Sequence, residues 1–169
     1  GNPKGITLDE TYYVKGALSL LKFGYERDAI KNADALLATG RTNIFESTGD
    51  FVVHIVSHDI RNQMNVCAVS YPLGVSEIEK AGLTAVSSVK VKSPRIVEAP
   101  IAMECKLIQR VLLGPRPYHL MIGEVLYFHF KEGAVNERLH VDVGVVDPIG
   151  RLAGKGGYTR ITDRFEMDR

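Results

Sequence analysis

One stretch limits what this chain can fold into more than any other: Thr48-Gly49-Asp50-Phe51-Val52-Val53-His54-Ile55-Val56. Phe51, Val52, Val53, Ile55 and Val56 form a β-branched and aromatic run too short for a helix that packs alone. Gly49 stops whatever precedes it, so a buried strand is expected here. Directly behind it, Ser57 to Val66 reads as a short helix. Ser57 or Asp59 could cap that helix, because a side-chain oxygen there can accept from the free N–H groups of the first turn. Downstream, the pattern is of further strands returning to this one.

Composition decides which classes remain open. In 169 residues, 45% are hydrophobic and 24% charged, enough apolar material for the packed core of one ordinary domain. A net charge of +1 gives no electrostatic case for nucleic acid or a membrane surface. No apolar run approaches the roughly 20 residues that cross a bilayer. The start, Gly1-Asn2-Pro3-Lys4, lacks the hydrophobic centre of a secretory signal, which reads as cytoplasmic. Cys67 and Cys105 lack metal-ligand spacing and are expected as free buried thiols. The five histidines, at 54, 58, 119, 129 and 140, form no helical pair and no Cys/His cluster, so no metal site is expected. His54 reads as a packed histidine with one satisfied nitrogen. The sequence holds neither the Gly-x-Ser-x-Gly elbow of a hydrolase nor a Walker-type phosphate loop.

Two kinds of material follow one another along the chain. Residues 1 to 40 form a helical segment in which Leu18, Leu21, Tyr25, Ala29, Ala33 and Leu36 recur at three- and four-residue intervals, with a break near Gly24. Residues 41 to 169 form a second, mainly β unit. A short helical turn is expected over 42 to 47, and Tyr71-Pro72-Leu73-Gly74 is a loop. Ser76 with Glu79 is a capping-box pattern for a helix ending near Gly82. Val86 to Val91 reads as a modest strand, and Ile101 to Ile108 as a better one with one buried and one wetter face. Leu120 to Phe130 is its partner across a turn at Gly114-Pro115-Arg116-Pro117, with Leu120, Ile122, Leu126 and Phe128 on one side. Met121, Val125, Tyr127 and His129 take the other side; both are largely apolar, as expected for a barrel strand whose outer face meets a helix or a second subunit. After a long connection, Gly150 to Tyr158 is a glycine-dense loop, and Tyr158 to Ile161 and Arg164 to Met167 read as closing strands. Several short strands with flanking helices argue for a closed or split β-barrel.

The ordered set Thr48-Gly49-Asp50-Phe51-Val52-Val53-His54, Met64-Asn65, Pro72-x-Gly74-Val75 and Ala81-Gly82-Leu83-Thr84 is similar to that of the flavin reductase-like family of FMN-binding split barrels. Pro94 to Cys105, Ile122-Gly123-Glu124-Val125 and Pro148-Ile149-Gly150-Arg151-Leu152-Ala153-Gly154 with Tyr158 continue it over residues 41 to 169. The resemblance implies a Greek-key split barrel, a homodimer, FMN near the subunit interface and hydride transfer from NADH or NADPH. An oxygenase or another acceptor would then use the reduced flavin. It also implies where FMN would lie. Arg41 and Thr42 stand by the family's phosphate-binding stretch; Asn65, Cys67 and Ala68 match the segment along the flavin; Arg151 and Tyr158 belong to the glycine-dense loop. Glycines there let backbone N–H groups approach a ligand, and Tyr158 could cover an aromatic ring. Each position also has a plainer reading: a solvated helix start, helix-end packing, a simple turn, or an Arg151 paired with Asp147 rather than with phosphate.

The sequence departs from the family where Ala38-Thr39-Gly40 replaces its Lys-Asp-Thr stretch, and where a helical pattern replaces the opening strands. A flavin-fold interaction or carrier module without redox turnover is therefore the second reading. The helices of 8–39 are expected to cover an open barrel edge, completion of the sheet by the dimer partner being the second possibility. Burying Leu18, Leu21, Tyr25 and Leu36 would contribute on the order of 6–10 kcal/mol before chain entropy. Deleting residues 1–39 should give insoluble or molten material; a soluble truncated chain that unfolds cooperatively in denaturant would show that the segment is an appendage.

Overall fold

The computed structural model describes residues 5–6, 49–69, 75–113, 118–152 and 155–168. The helices expected within 8–39, the turn at 42–47, the loop at 71–74 and the turn at 114–117 lie outside the described residues.

A four-stranded antiparallel sheet dominates, in the order β1-β6-β5-β2. It consists of β1 (Gly5–Ile6), β2 (Asp50–Ile55), β5 (Ile101–Leu113) and β6 (Tyr118–Phe130). The predicted organising strand is β2, paired along its whole length from Asp50↔Lys106 to Ile55↔Ile101. Two smaller pairs accompany the sheet: β3 (Ala85–Val86) with β4 (Arg95–Ile96), and β7 (Ile149–Arg151) with β8 (Tyr158–Arg160). The short helices are α1 (Arg61–Cys67), α2 (Glu77–Ala81) and α3 (Val143–Val146).

Local chemistry explains most element ends. The Ser76 hydroxyl accepts from Glu79 N–H at 3.3 Å, and Gly82 ends α2 in the left-handed region at φ 66°, as the capping pattern predicted. Asp142 caps α3 by accepting from Gly144 N–H at 2.8 Å. The helix behind β2 differs from expectation. A 3-10 turn, His58–Ile60, precedes α1, and neither Ser57 nor Ile60 makes a side-chain cap bond. Tertiary contacts take over there: Ser57 bridges to Pro148, and His58 N–H donates to Asp147 C=O at 2.9 Å.

Strand alternation sorts the sheet into two faces. Register places Phe51, Val53 and Ile55 beside Cys105, Met103 and Ile101, with Phe128 and Phe130 next across. Ile101, Ala134 and Val146 are buried together, with Ile55, Phe128 and Phe130 packed against them. The connection after β6 therefore folds back as a plug on this face. Two register shifts, between Glu104/Cys105 and between Leu107/Gln109, break the simple alternation. They put Val125 opposite Cys105, on the side of Phe128, whereas strict alternation had grouped Val125 with Tyr127 and His129.

The other face is polar and covered. Asp50 and His54 of β2, Glu104 of β5 and His129 of β6 lie on it, and Asp50, Glu104 and His129 are buried. Residues 101–105 are thus buried on both sides, where a wetter face was expected. The cover is the β3–β4 hairpin. Val86 to Val91 does not form the predicted strand, because beyond Val86 its amides turn towards side chains of the sheet. Glu104, 0% exposed, accepts from Val89 N–H at 2.8 Å, Lys90 N–H at 2.6 Å and His129 Nε2 at 2.5 Å. Asp50 accepts from Lys92 N–H and Ser93 N–H, each at 3.1 Å, and from the Ser93 hydroxyl at 2.6 Å. Burial by itself would raise both carboxyl pKa values. The converging donors more than offset it and hold both below the ordinary carboxylate value. Arg164 to Met167 is exposed and lies in no strand, unlike the closing strand expected.

Gly123 is where the apolar face is tightest: a Cβ there would sit 2.5 Å from Phe51 Cζ. Gly123→Ala should lower stability by about 1–3 kcal/mol, read from denaturant unfolding, because the Phe51 ring must move within a packed layer. An unchanged unfolding midpoint would mean that the ring relaxes freely.

Candidate functional site

The end of β2 and the start of β7 are joined. Ile149 N–H donates to Val56 C=O at 3.0 Å, beside the Ser57–Pro148 bridge. This joint carries the β7–β8 loop to α1. Tyr158 Oη donates to Met64 Sδ at 3.8 Å, and the Arg151 guanidinium lies 5.1 Å from the Tyr158 ring centroid. Arg151 Nη1 also donates to Leu152 C=O at 2.7 Å and to Gly157 C=O at 2.9 Å, which closes the glycine-dense loop on itself. Tyr158 remains 40% exposed.

Of the residues singled out by sequence, Arg151, Tyr158 and the Met64 turn of α1 come together. Asn65 is on α1 and exposed. Ala68 is the C-cap residue, its N–H bonded to Met64 C=O at 3.1 Å. Cys67 is half-buried rather than buried, and its thiol donates to Glu77 C=O at 3.7 Å. Arg41 and Thr42 lie outside the described residues. Asp147 is engaged by Arg160 instead of Arg151, through bonds of 3.1 and 2.7 Å. That pair ties β8 to the turn before β7.

One residue escaped sequence reasoning. Gln63 Oε1, on α1 next to Met64, is buried and has no hydrogen-bond partner among the described residues. A buried unpaired amide oxygen is costly, so such an atom marks a place for a donor. Nothing in the sequence distinguishes Gln63 from a solvated helix glutamine; only the packing of α1 does. His54 is as expected, with one nitrogen accepting from Ile96 N–H at 2.9 Å. Both thiols are poor nucleophiles. Burial, then Glu77, raises the Cys67 pKa, and burial, then Glu104, pushes that of Cys105 up to about 12. Among the described residues no three His, Cys, Asp or Glu side chains group as metal ligands, and no helix is long and apolar enough to cross a membrane.

Comparison with known proteins gives this arrangement its context. The model of the flavin reductase-like domain matches residues 35–148. The chain belongs to that family. An uncharacterised protein of Deinococcus radiodurans is 36% identical over 125 residues, which are 73% of this chain and 54% of that protein. The chain thus spans about half the length of this curated relative. The crystal structure of nitrilotriacetate monooxygenase component B from Bacillus cereus superposes with a TM-score of 0.70 at 33% identity, covering 76% of this chain and 66% of that one. A flavin reductase-type protein with a split barrel domain from Shewanella frigidimarina gives 0.67 at 19% identity, covering 85% and 67%, a likeness of fold. The fold of this flavin reductase-like chain is accordingly mainly β and of the split-barrel type, and among the described residues its sheets do not close.

The thiol environments are directly testable. At neutral pH a thiol reagent should react slowly with Cys67 and with Cys105 only on unfolding; rapid labelling of both in the native protein would contradict the burial that raises their pKa values.

Proposed function

We propose that this chain binds FMN against α1 and the β7–β8 loop and acts as an NAD(P)H-dependent flavin reductase. The observation that carries this is the meeting of Arg151, Tyr158 and Met64 in a flavin reductase-like domain, with Gln63, next to Met64 on α1, holding a buried Oε1 that has no hydrogen-bond partner among the described residues. The residues present suit the group. Tyr158 offers an aromatic surface, Gln63 an acceptor for a ring N–H, and Arg151 a fixed positive charge near the loop. Asn65, Cys67 and Ala68 would line the same side, with Arg41 and Thr42 towards the phosphate. When bound, FMN supplies the redox chemistry by accepting a hydride from NADH or NADPH, while the protein holds, orients and shields it. The likeness to a monooxygenase component B supports an oxygenase as the acceptor of reduced flavin. A homodimer in the cytoplasm completes the reading. Dimerisation would cover apolar side chains such as Ile108 and Ile122, exposed on the long strands.

Titration with FMN should quench flavin fluorescence, and the loaded protein should oxidise NADH or NADPH, with light scattering giving twice the mass of one chain. Tyr158→Ala should weaken FMN binding roughly 10-fold, as expected for losing about 1.4 kcal/mol of ring contact. Binding without NAD(P)H oxidation would favour a carrier, and no binding at all would favour an interaction module.

A further inference from the structure

The polar face of the sheet and its hairpin cover lie apart from that site. They are joined at three points: Asp50 and Glu104 hold the loop residues 89–93, and His54 holds the β4 arm by accepting from Ile96 N–H. The first two holds are carboxylates, which only lose charge in acid. The third is an imidazole, and its chemistry differs. With Nε2 accepting, the single proton of the neutral ring sits on Nδ1. A second proton can only go to Nε2, where it meets the Ile96 N–H head on. The hold therefore exists in the neutral ring alone.

We propose that His54 is an acid trigger for the hairpin: a proton on its Nε2 displaces Ile96 N–H and lifts the β4 arm from the sheet, while the loop tip stays latched by Asp50 and Glu104. The surroundings of His54 support this. Arg95 on the arm and His129 on β6 both oppose a positive charge there, and Ala102, its cross-strand neighbour, offers none in return. Glu104, the nearest buried carboxylate of the face, is bonded to His129, Val89 and Lys90. Burial first, then Arg95 and His129, lowers the His54 pKa to about 4, against an ordinary 6.5.

The sign follows from linkage. Lifting the arm relieves His54 of burial and of Arg95, so the open form binds the proton more tightly, and opening grows as pH falls from 6.5 towards about 4. Full recovery of the ordinary value would raise the opening equilibrium about 300-fold in all, of which about 80-fold falls between pH 6.5 and pH 4. Asp50 and Glu104, both held below their ordinary values, remain charged through most of it. Opening should therefore be confined to the arm, baring the imidazole of His54 while the strands stay paired.

Amide hydrogen exchange on the full chain, corrected for the intrinsic pH dependence, tests this alongside an NMR titration of the His54 ring. The expected result is a His54 midpoint well below 6.5 and an Ile96 opening that rises up to about 100-fold between pH 7 and pH 4. Val89, Lys90, Lys92 and Ser93 should change far less. His54→Gln, whose side-chain oxygen can accept without titrating, should make Ile96 exchange independent of pH. An ordinary midpoint for His54, a flat Ile96 response, or the same slope in His54→Gln would overturn the proposal. If that variant fails to fold, the wild-type midpoint and the difference between Ile96 and the four loop amides decide the matter.

Discussion

Buried backbone donors must be satisfied, and in this molecule a strand face rather than another strand does it. The loop between β3 and β4 has amides pointing inwards at Val89, Lys90, Lys92 and Ser93, and Asp50 and Glu104 receive all four. A buried carboxylate left unpaired would be strongly unfavourable, and so would an unpaired buried amide. Each cost is removed by the other group. His129 completes the set by bonding to Glu104. Without the hairpin the sheet would present a bare charged face; without the sheet the hairpin would lack most of its hydrogen bonds.

That arrangement leaves the opposite face free to be apolar throughout. Phe51 against Gly123, the stacked Phe128 and Phe130, and Ala134 and Val146 of the returning connection fill it. The same connection then delivers β7 to the end of β2, where the Ser57–Pro148 bridge and the His58–Asp147 bond fix its path. Tyr158, with Arg151 against its ring, reaches Met64 by way of this joint. The candidate site and the core are consequences of one chain reversal.

The likeness to the flavin reductase-like family fits this division of labour. Fold-level similarity does not by itself assign chemistry, since function lives in the residues mounted on a fold. Here the mounted residues are few and specific. An arginine lies under a tyrosine, a thioether meets the tyrosine hydroxyl, and a glutamine oxygen is buried without a partner among the described residues. The hairpin cover is a separate piece of equipment on the polar face of the sheet, held along β2 from Asp50 to His54, with an imidazole in place of a third carboxylate.

Local sequence settled the features whose causes are local. The β2 strand was legible because Phe51 to Val56 is a short β-branched and aromatic run with a glycine stop before it, and α2 because Ser76, Glu79 and Gly82 supply both of its ends. His54 was legible as a packed histidine, and the ordered motifs were enough to suggest the family. Tertiary structure decided whatever depends on partners far apart in sequence. The bulges in β5 and β6 moved Val125 across the sheet, the carboxylates of Asp50 and Glu104 drew residues 89–93 out of a strand, and Arg160 took Asp147 from Arg151. Gln63 became notable only through the burial of one oxygen. Alternation and capping act over a few residues, so a sequence displays them; the pairing of a buried charge with an amide about 40 residues away is set by packing, which a single sequence does not display.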